Sequence, residues 1–261
     1  AFSAEVRVAV GIEPELLLAA PADFLKESAE TVWDGEGERV VSRSRLTYGG
    51  LLLEETPQEG DPEETARVLA RALADRWPKP FPDDAPLRQY AARLDFLRRL
   101  GVEAEFPDLP GEAFDDFLGS ICRGKRSFAE IARSSLKGCI DVALEPGQRS
   151  RLDRLAPERI TLGSGRRVAV NYELGAAPWI GARLQEFFGT SRTPILADGR
   201  VPLVVHLQAP SGRALQVTTD LAGFWQREYP KLRNAYMRRY PRHPWPEDPL
   251  AASPPPHRKK R

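Results

Sequence analysis

With 261 residues, 41% of them hydrophobic and 29% charged, the chain has the balance of an ordinary soluble globular protein, with room for two domains or for one domain with appendages. A net charge of +1 by itself says nothing about nucleic acid; only a local concentration of cations could. No apolar run approaches the roughly 18 residues of a membrane span, and the two distant cysteines, Cys122 and Cys139, form neither a disulfide framework nor a metal spacing and fit a reducing cytoplasm.

The opening Ala1-Phe2-Ser3-Ala4-Glu5 does not have the form of a secretion signal and reads as the start of an excised fragment, upstream of a strand. Residues 1–60 are expected to be β-rich. Val6, Val8 and Val10 alternate with Arg7 and Ala9, the period of a half-buried strand, and Pro14-Glu15 starts a short helix-like run to Leu18. Asp34-Gly35-Glu36-Gly37 separates Thr31-Val32-Trp33 from Arg39-Val40-Val41, a hairpin signal. Gly49-Gly50 breaks the next alternating run before Leu51-Leu52-Leu53. Short strands with glycine turns suggest a small barrel.

Residues 61–155 read as a helical connector. Asp61 caps a helix with Pro62 at its first position, and Val68, Leu69, Ala72 and Leu73 follow at helical spacing. A second helix starts near Pro86, with Leu87, Tyr90, Leu94 and Leu97 on one face. Phe114, Phe117, Leu118 and Ile121 give a third, Phe128 to Ile140 one or two more, and Arg149 to Leu155 closes the region.

Residues 156–250 return to mixed structure. Gly163-Ser164-Gly165 is a turn before a strand through Val168, Val170 and Tyr172. Pro178 is expected to open a helix containing Ile180, Leu184, Phe187 and Phe188, stopped by Gly189. Asp198-Gly199 and Pro210-Ser211-Gly212 are turns around Leu203 to Leu207, and Leu215 to Thr218 makes the next strand. Asp220 can cap a helix through Leu221, Phe224 and Trp225; Pro230 interrupts it, and a last helix runs to about Tyr240. Residues 251–261 are proline-rich, then basic (His257-Arg258-Lys259-Lys260-Arg261), and are expected to be disordered.

Catalytic chemistry is mostly absent. A nucleotide motor needs a phosphate-cradling glycine loop with a lysine and an acidic metal box, and neither occurs; Gly163-Ser164-Gly165 lacks the lysine and joins two strands. His206, His243 and His257 do not cluster with the cysteines, so no metal site is expected. His206, Ser211 and Asp220 could be drawn as a hydrolytic triad, but Ser211 sits in a Pro-Ser-Gly turn and not on a strained strand-to-helix elbow. The acidic pairs Glu63-Glu64 and Asp115-Asp116 mark helix starts, where carboxylates favour the dipole.

One segment rises above this background. Between Trp225 and Trp245, basic residues interleave with Tyr229, Tyr236 and Tyr240, and Lys231, Asn234 and Arg238 are spaced to share a helical face. Cations can meet phosphates while rings stack on bases. The candidate nucleic-acid contacts are Arg227, Lys231, Arg233, Arg238, Arg239, Arg242 and His243, set against the reading in which the rings are core and the arginines a solvated face.

The C-terminal third resembles the C-terminal region of bacterial HrpB-type DEAH-box helicases. The resemblance is carried by Arg183 to Gly189 (RLQEFFG), Gly199 to Leu203 (GRVPL) with His206-Leu207, Gln216 to Thr218 with Asp220 to Trp225 (DLAGFW), and Tyr229-Pro230 through Arg239 to Leu250 (RYPRHPWPEDPL). Gln148 to Pro157 matches more loosely. The resemblance implies an α+β arrangement: an OB-like barrel over residues 1–60, a helical connector over 61–155, an α/β domain over 156–250 and a disordered basic tail. It also implies an accessory RNA-binding and scaffolding module, with RNA or another single-stranded nucleic acid and the helicase ATPase lobes as partners and no membrane. ATP and Mg²⁺ would belong to those lobes, which are absent here; no cofactor and no ATPase activity are expected of this chain. The alternative is a protein-interaction module docking on the helicase core or a partner.

Overall fold

The structure is a computed structural model and describes residue 11 and residues 22–102 and 106–255. The strand expected at Val6 to Val10, the run from Pro14 to Leu18 and the basic end from His257 lie outside the described residues. The chain divides into two compact units: one holds the described residues up to Asp84 together with Phe114–Cys139, the other Ala85–Ala113 and the described residues from Ile140 onward.

The first unit opens with β1 (Leu25–Asp34), β2 (Arg39–Tyr48) and β3 (Leu51–Pro57), an antiparallel sheet in the order β1-β2-β3. Asp34 closes the first hairpin: its Oδ1 accepts the N–H groups of Glu36 and Gly37, and those bonds hold its carboxyl below the usual carboxylate value. At the second turn Gly49 and Gly50 both take positive φ, 55° and 92°, which the tight turn requires and a side chain would resist. The expected closed barrel is not present among the described residues. Among the described residues β1 and β3 each pair with β2 alone, and six of the seven β3 residues are exposed, so these strands enclose no interior.

Helix α1 (Pro62–Asp75) is capped as expected, Asp61 Oδ1 accepting the Glu64 N–H at 2.7 Å, and packs Leu69, Ala72 and Leu73 against α3 (Phe114–Cys122) and β1. Between them in sequence, α2 (Ala85–Arg98) belongs to the second unit; its Leu87, Tyr90, Leu94 and Leu97 are all buried. Three further helices follow: α4 (Phe128–Ile131), α5 (Leu136–Ala143) and α6 (Pro146–Leu155). Arg93 of α2 is buried and bonds the carbonyl of Ala156 at 2.7 Å and the Asp153 carboxylate at 2.8 Å, tying α2 to the end of α6.

The second unit is built on a five-stranded mixed sheet of β4 (Arg159–Thr161), β5 (Arg167–Asn171), β6 (Trp179–Arg183), β9 (Val204–Gln208) and β10 (Ala214–Thr218), in the order β10-β9-β6-β5-β4. Only β6 and β9 pair in parallel, and the crossover between them carries the small hairpin of β7 (Ile195–Leu196) and β8 (Val201–Pro202). The buried face presents Val168, Val170, Ile180, Ala182, Val205 and Leu207. The helix expected from Pro178 is instead β6 followed by a 3-10 turn, Leu184–Phe187. Ile180, Leu184, Phe187 and Phe188 do fit a helical stripe, but Ile180, Ala182 and Leu184 fit strand alternation equally well. Pairing with β5 and β9 decides it, and Gly181 in mid-segment disfavours a helix.

After β10, Asp220 caps α7 (Leu221–Gly223) by accepting the Gly223 N–H. A π turn, Phe224–Glu228, leads into α8 (Tyr229–Arg239). Pro230 does not end the helix. The ladder widens so that the Tyr229 N–H reaches the Phe224 carbonyl, and the proline, which has no N–H to offer, sits in the first turn of α8.

Candidate nucleic-acid interface

The helix from Leu221 to Arg239 is anchored by its aromatic residues. Trp225 is buried and its indole N–H donates to the Thr190 carbonyl at 2.8 Å. Tyr229 is buried and its hydroxyl donates to the Pro246 carbonyl; burial pushes its pKa up to about 12, with Arg233 pulling the other way. Trp245 is buried, its N–H donating to the Tyr240 carbonyl. Tyr236 and Tyr240 are half-buried and stack on each other at 6.2 Å, with Tyr236 also 5.7 Å from Trp245. The chain after α8 is thus folded back along the helix, and most of the rings in this segment serve that packing.

The candidate cations separate into two groups. Arg227 lies 3.0 Å from Asp220, whose carboxyl is held low first by the Gly223 N–H and then by Arg227 itself. Lys231 lies 3.1 Å from Glu228. Arg233 is half-buried, donating to the Trp245 carbonyl at 2.8 Å and standing 3.5 Å from Glu247. These three are occupied by the fold. Arg238, Arg239 and Arg242 are exposed and have no carboxylate partner among the described residues; Arg239 lies over the Tyr240 ring at 5.7 Å. His243 is half-buried, its ring edge-on to Tyr240 and its backbone N–H bonded to the Tyr240 carbonyl.

One further cation belongs with the second group. The hydroxyls of Ser211 and Tyr240 meet at 2.9 Å, which brings the β9–β10 turn against the end of α8. Arg213 stands in that turn, exposed and without a carboxylate partner among the described residues. No local pattern marks it, because the contact spans 29 positions. The imagined triad does not assemble: Ser211 meets Tyr240, Asp220 caps α7, and His206 stacks on Trp179 at 4.4 Å. Among the described residues no group of three or more His, Cys, Asp or Glu side chains could hold a metal ion, and no helix is long and apolar enough to cross a membrane. Cys122 and Cys139 are both free thiols.

Residues 117–249 match the HrpB C-terminal family, described as ATP-dependent helicase C-terminal. The ATP-dependent RNA helicase HrpB of Escherichia coli (strain K12) is 27% identical over 256 residues, which cover 96% of this chain and 32% of that protein. The crystal structure of the E. coli DExH-box NTPase HrpB superimposes with a TM-score of 0.67 at 26% identity, over 95% of this chain and 31% of the other. A crystal structure of the Escherichia coli DEAH/RHA helicase HrpB gives 0.59 at 27% identity, over 85% and 29%. The chain therefore spans about a third of the length of the relative it matches.

Proposed function

The chain belongs to the HrpB-type ATP-dependent helicase C-terminal family, and from that premise we propose that it is the accessory nucleic-acid-binding and scaffolding module of a cytoplasmic ATP-dependent RNA helicase. In this reading ATP and Mg²⁺ act in ATPase lobes, and this chain hydrolyses nothing. It contributes a phosphate contact at the end of α8, made by Arg238, Arg239 and Arg242, with Arg213 beside them. The observation that carries the reading is that these cations are exposed and have no carboxylate partner among the described residues, while Arg227, Lys231 and Arg233 are paired with nearby carboxylates. An arginine left without an acid on a folded surface is available to a phosphate oxygen, which its guanidinium fork fits well.

The test is fluorescence anisotropy with a labelled single-stranded RNA, comparing the chain with its Arg238→Glu/Arg239→Glu variant. Loss of affinity with the fold retained, the melting temperature falling by no more than a few degrees, supports the reading; equal affinity of the two proteins sinks it.

A second reading, docking onto a protein, is favoured by Leu51 and Leu52, which are exposed at 66% and 51% on β3, the edge strand among the described residues, with Phe24 exposed at 54%. An apolar edge of this kind suits the helicase core better than a nucleic acid. Leu51→Ser/Leu52→Ser should weaken co-elution with the ATPase lobes without changing RNA affinity.

A further inference from the structure

The five-stranded sheet has one buried face, and its other face is open. Strand alternation assigns to the open side Arg159 on β4, Arg167 and Ala169 on β5, Trp179, Gly181 and Arg183 on β6, His206 and Gln208 on β9, and Val217 on β10. Arg159, Arg167, Ala169, Arg183 and Val217 are exposed, and the rest are half-buried.

Two features of this face bear on a ligand. The first is charge. Arg159, Arg167 and Arg183 lie on neighbouring strands, and none has a carboxylate partner among the described residues. Like charges gathered on one side of a sheet repel and cost stability unless something neutralises them. The second is the aromatic pair. The indole of Trp179 and the imidazole of His206 stack nearly parallel, 4.4 Å apart at 14°. The indole N–H is fixed by Glu173 at 3.1 Å, which sets the ring plane. Gly181 supplies the floor: a Cβ there would stand 3.5 Å from the indole and 2.9 Å from the Gln208 amide nitrogen, so both side chains lie across the bare backbone. On the β5 side the residue paired with Trp179 is the half-buried Asn171, whose side-chain amide donates to the Trp179 carbonyl, and the indole itself stays half-exposed.

We propose that this open face binds single-stranded nucleic acid, with Trp179 backed by His206 as the stacking platform for a base and Arg159, Arg167 and Arg183 as the phosphate contacts. A fixed aromatic plane flanked by uncompensated guanidinium groups is the arrangement that single strands use: stacking tolerates any base, and the cations track the backbone. A double helix would offer no free base to the ring. Gln208, whose amide makes no hydrogen bond among the described residues, stands where it can reach a base edge. This surface is built from elements other than α8; it shares with the proposed function the class of ligand and nothing else.

The experiment is an anisotropy titration of a fluorescein-labelled oligouridylate against the 261-residue chain at several salt concentrations. Trp179→Ala should weaken binding by about tenfold and leave the salt dependence unchanged, since a stacked base accounts for about that much; Trp179→Phe should restore most of it. Arg167→Glu/Arg183→Glu should lower the slope of log affinity against log salt by about 1.4 for a single strand. That pair, both exposed, keeps the proposal testable if the tryptophan variant does not fold. The same sheet variants are made on the Arg238→Glu/Arg239→Glu background. If sheet variants bind like their parents while the α8 variant loses affinity, this proposal is overturned and the proposed function stands. If the sheet variants weaken binding on both backgrounds, this proposal stands whatever α8 contributes. If the chain binds polyglutamate and not the oligouridylate, the face docks an acidic protein and the proposal is overturned.

Discussion

Charge reversal of Arg238 and Arg239 makes a quantitative prediction about salt. Both are exposed, neither has a carboxylate partner among the described residues, and both occupy the last turn of α8. Each phosphate neutralised on a single strand contributes about 0.7 to the slope of log affinity against log salt, so removing two contacts should reduce that slope by about 1.4. Between 50 and 200 mM salt, a fourfold change, the wild type should lose about sevenfold more affinity than the variant. This difference does not depend on how many other cations touch the ligand. The substitutions also place negative charge at a helix C-terminus, where the dipole disfavours it, at about 0.3–1 kcal/mol each. For a unit of this size that is a fall of a few degrees in melting temperature. Anisotropy titrations at four salt concentrations, with melting curves for both proteins, measure each quantity. Parallel slopes with a preserved melting temperature would refute the reasoning, and so would a collapse of the fold, since it would mean these side chains are structural.

Three other outcomes follow from the geometry. Arg93→Ala should destabilise the chain by about 2–3 kcal/mol through the unsatisfied buried carbonyl of Ala156 and the lost packing; its bond to Asp153 adds little because that carboxylate is 59% exposed. An unchanged urea midpoint would contradict this. Cys122, whose pKa burial pushes up to about 12, and Cys139, raised for the same reason, should react slowly with a thiol reagent at pH 8 and quickly in denaturant, which counting thiols by absorbance decides. Asp220 is lowered from 3.8 in the folded state, so its contribution is complete above that value and fades as pH falls through the lower folded one. The stability difference between wild type and Asp220→Asn should therefore be constant above about pH 5 and shrink in more acid solution; a difference independent of pH would exclude the carboxylate as the cap.

What could be read in the sequence was mostly local. The turn at Asp34, the double glycine before Leu51, the Asp61 and Asp220 caps and the stripe of Leu87, Tyr90, Leu94 and Leu97 each depend on residues within a few positions, and each is found. The stretch after Pro178 could not be decided that way, because helix and strand periods coincide over so short a run and the partners on β5 and β9 are distant in sequence. The candidate cations show the same limit. Lys231 with Glu228 is visible at three positions apart, but Arg233 meets Glu247 fourteen positions on and Arg227 meets Asp220 seven back. Which arginines remain available is thus a property of the fold. The Trp179–His206 stack, twenty-seven positions apart, exists only because β6 and β9 lie parallel and adjacent.

The two sheets handle charge in opposite ways, and this bears on which surface meets a polyanion. On the three-stranded sheet Arg45 lies between Glu30 at 2.5 Å and Glu55 at 2.7 Å, Arg43 lies 2.8 Å from the same Glu55, and Arg39 lies 3.7 Å from Asp34. The Glu55 carboxyl is held low by its bonds to Arg45 first and then to Arg43. A phosphate approaching this sheet would have to displace carboxylates already hydrogen-bonded to guanidinium groups, and would meet their negative charge as it did so. On the five-stranded sheet Arg159, Arg167 and Arg183 have no such partners among the described residues. A phosphate there would displace only water and salt ions, and the released counterions would favour association. The net charge of +1 conceals this difference, since it sums paired and unpaired cations alike. Of the two sheets, the five-stranded one is therefore the better suited to the proposed polyanion, and the three-stranded one, with its apolar β3 residues and paired arginines, to the alternative of a protein surface.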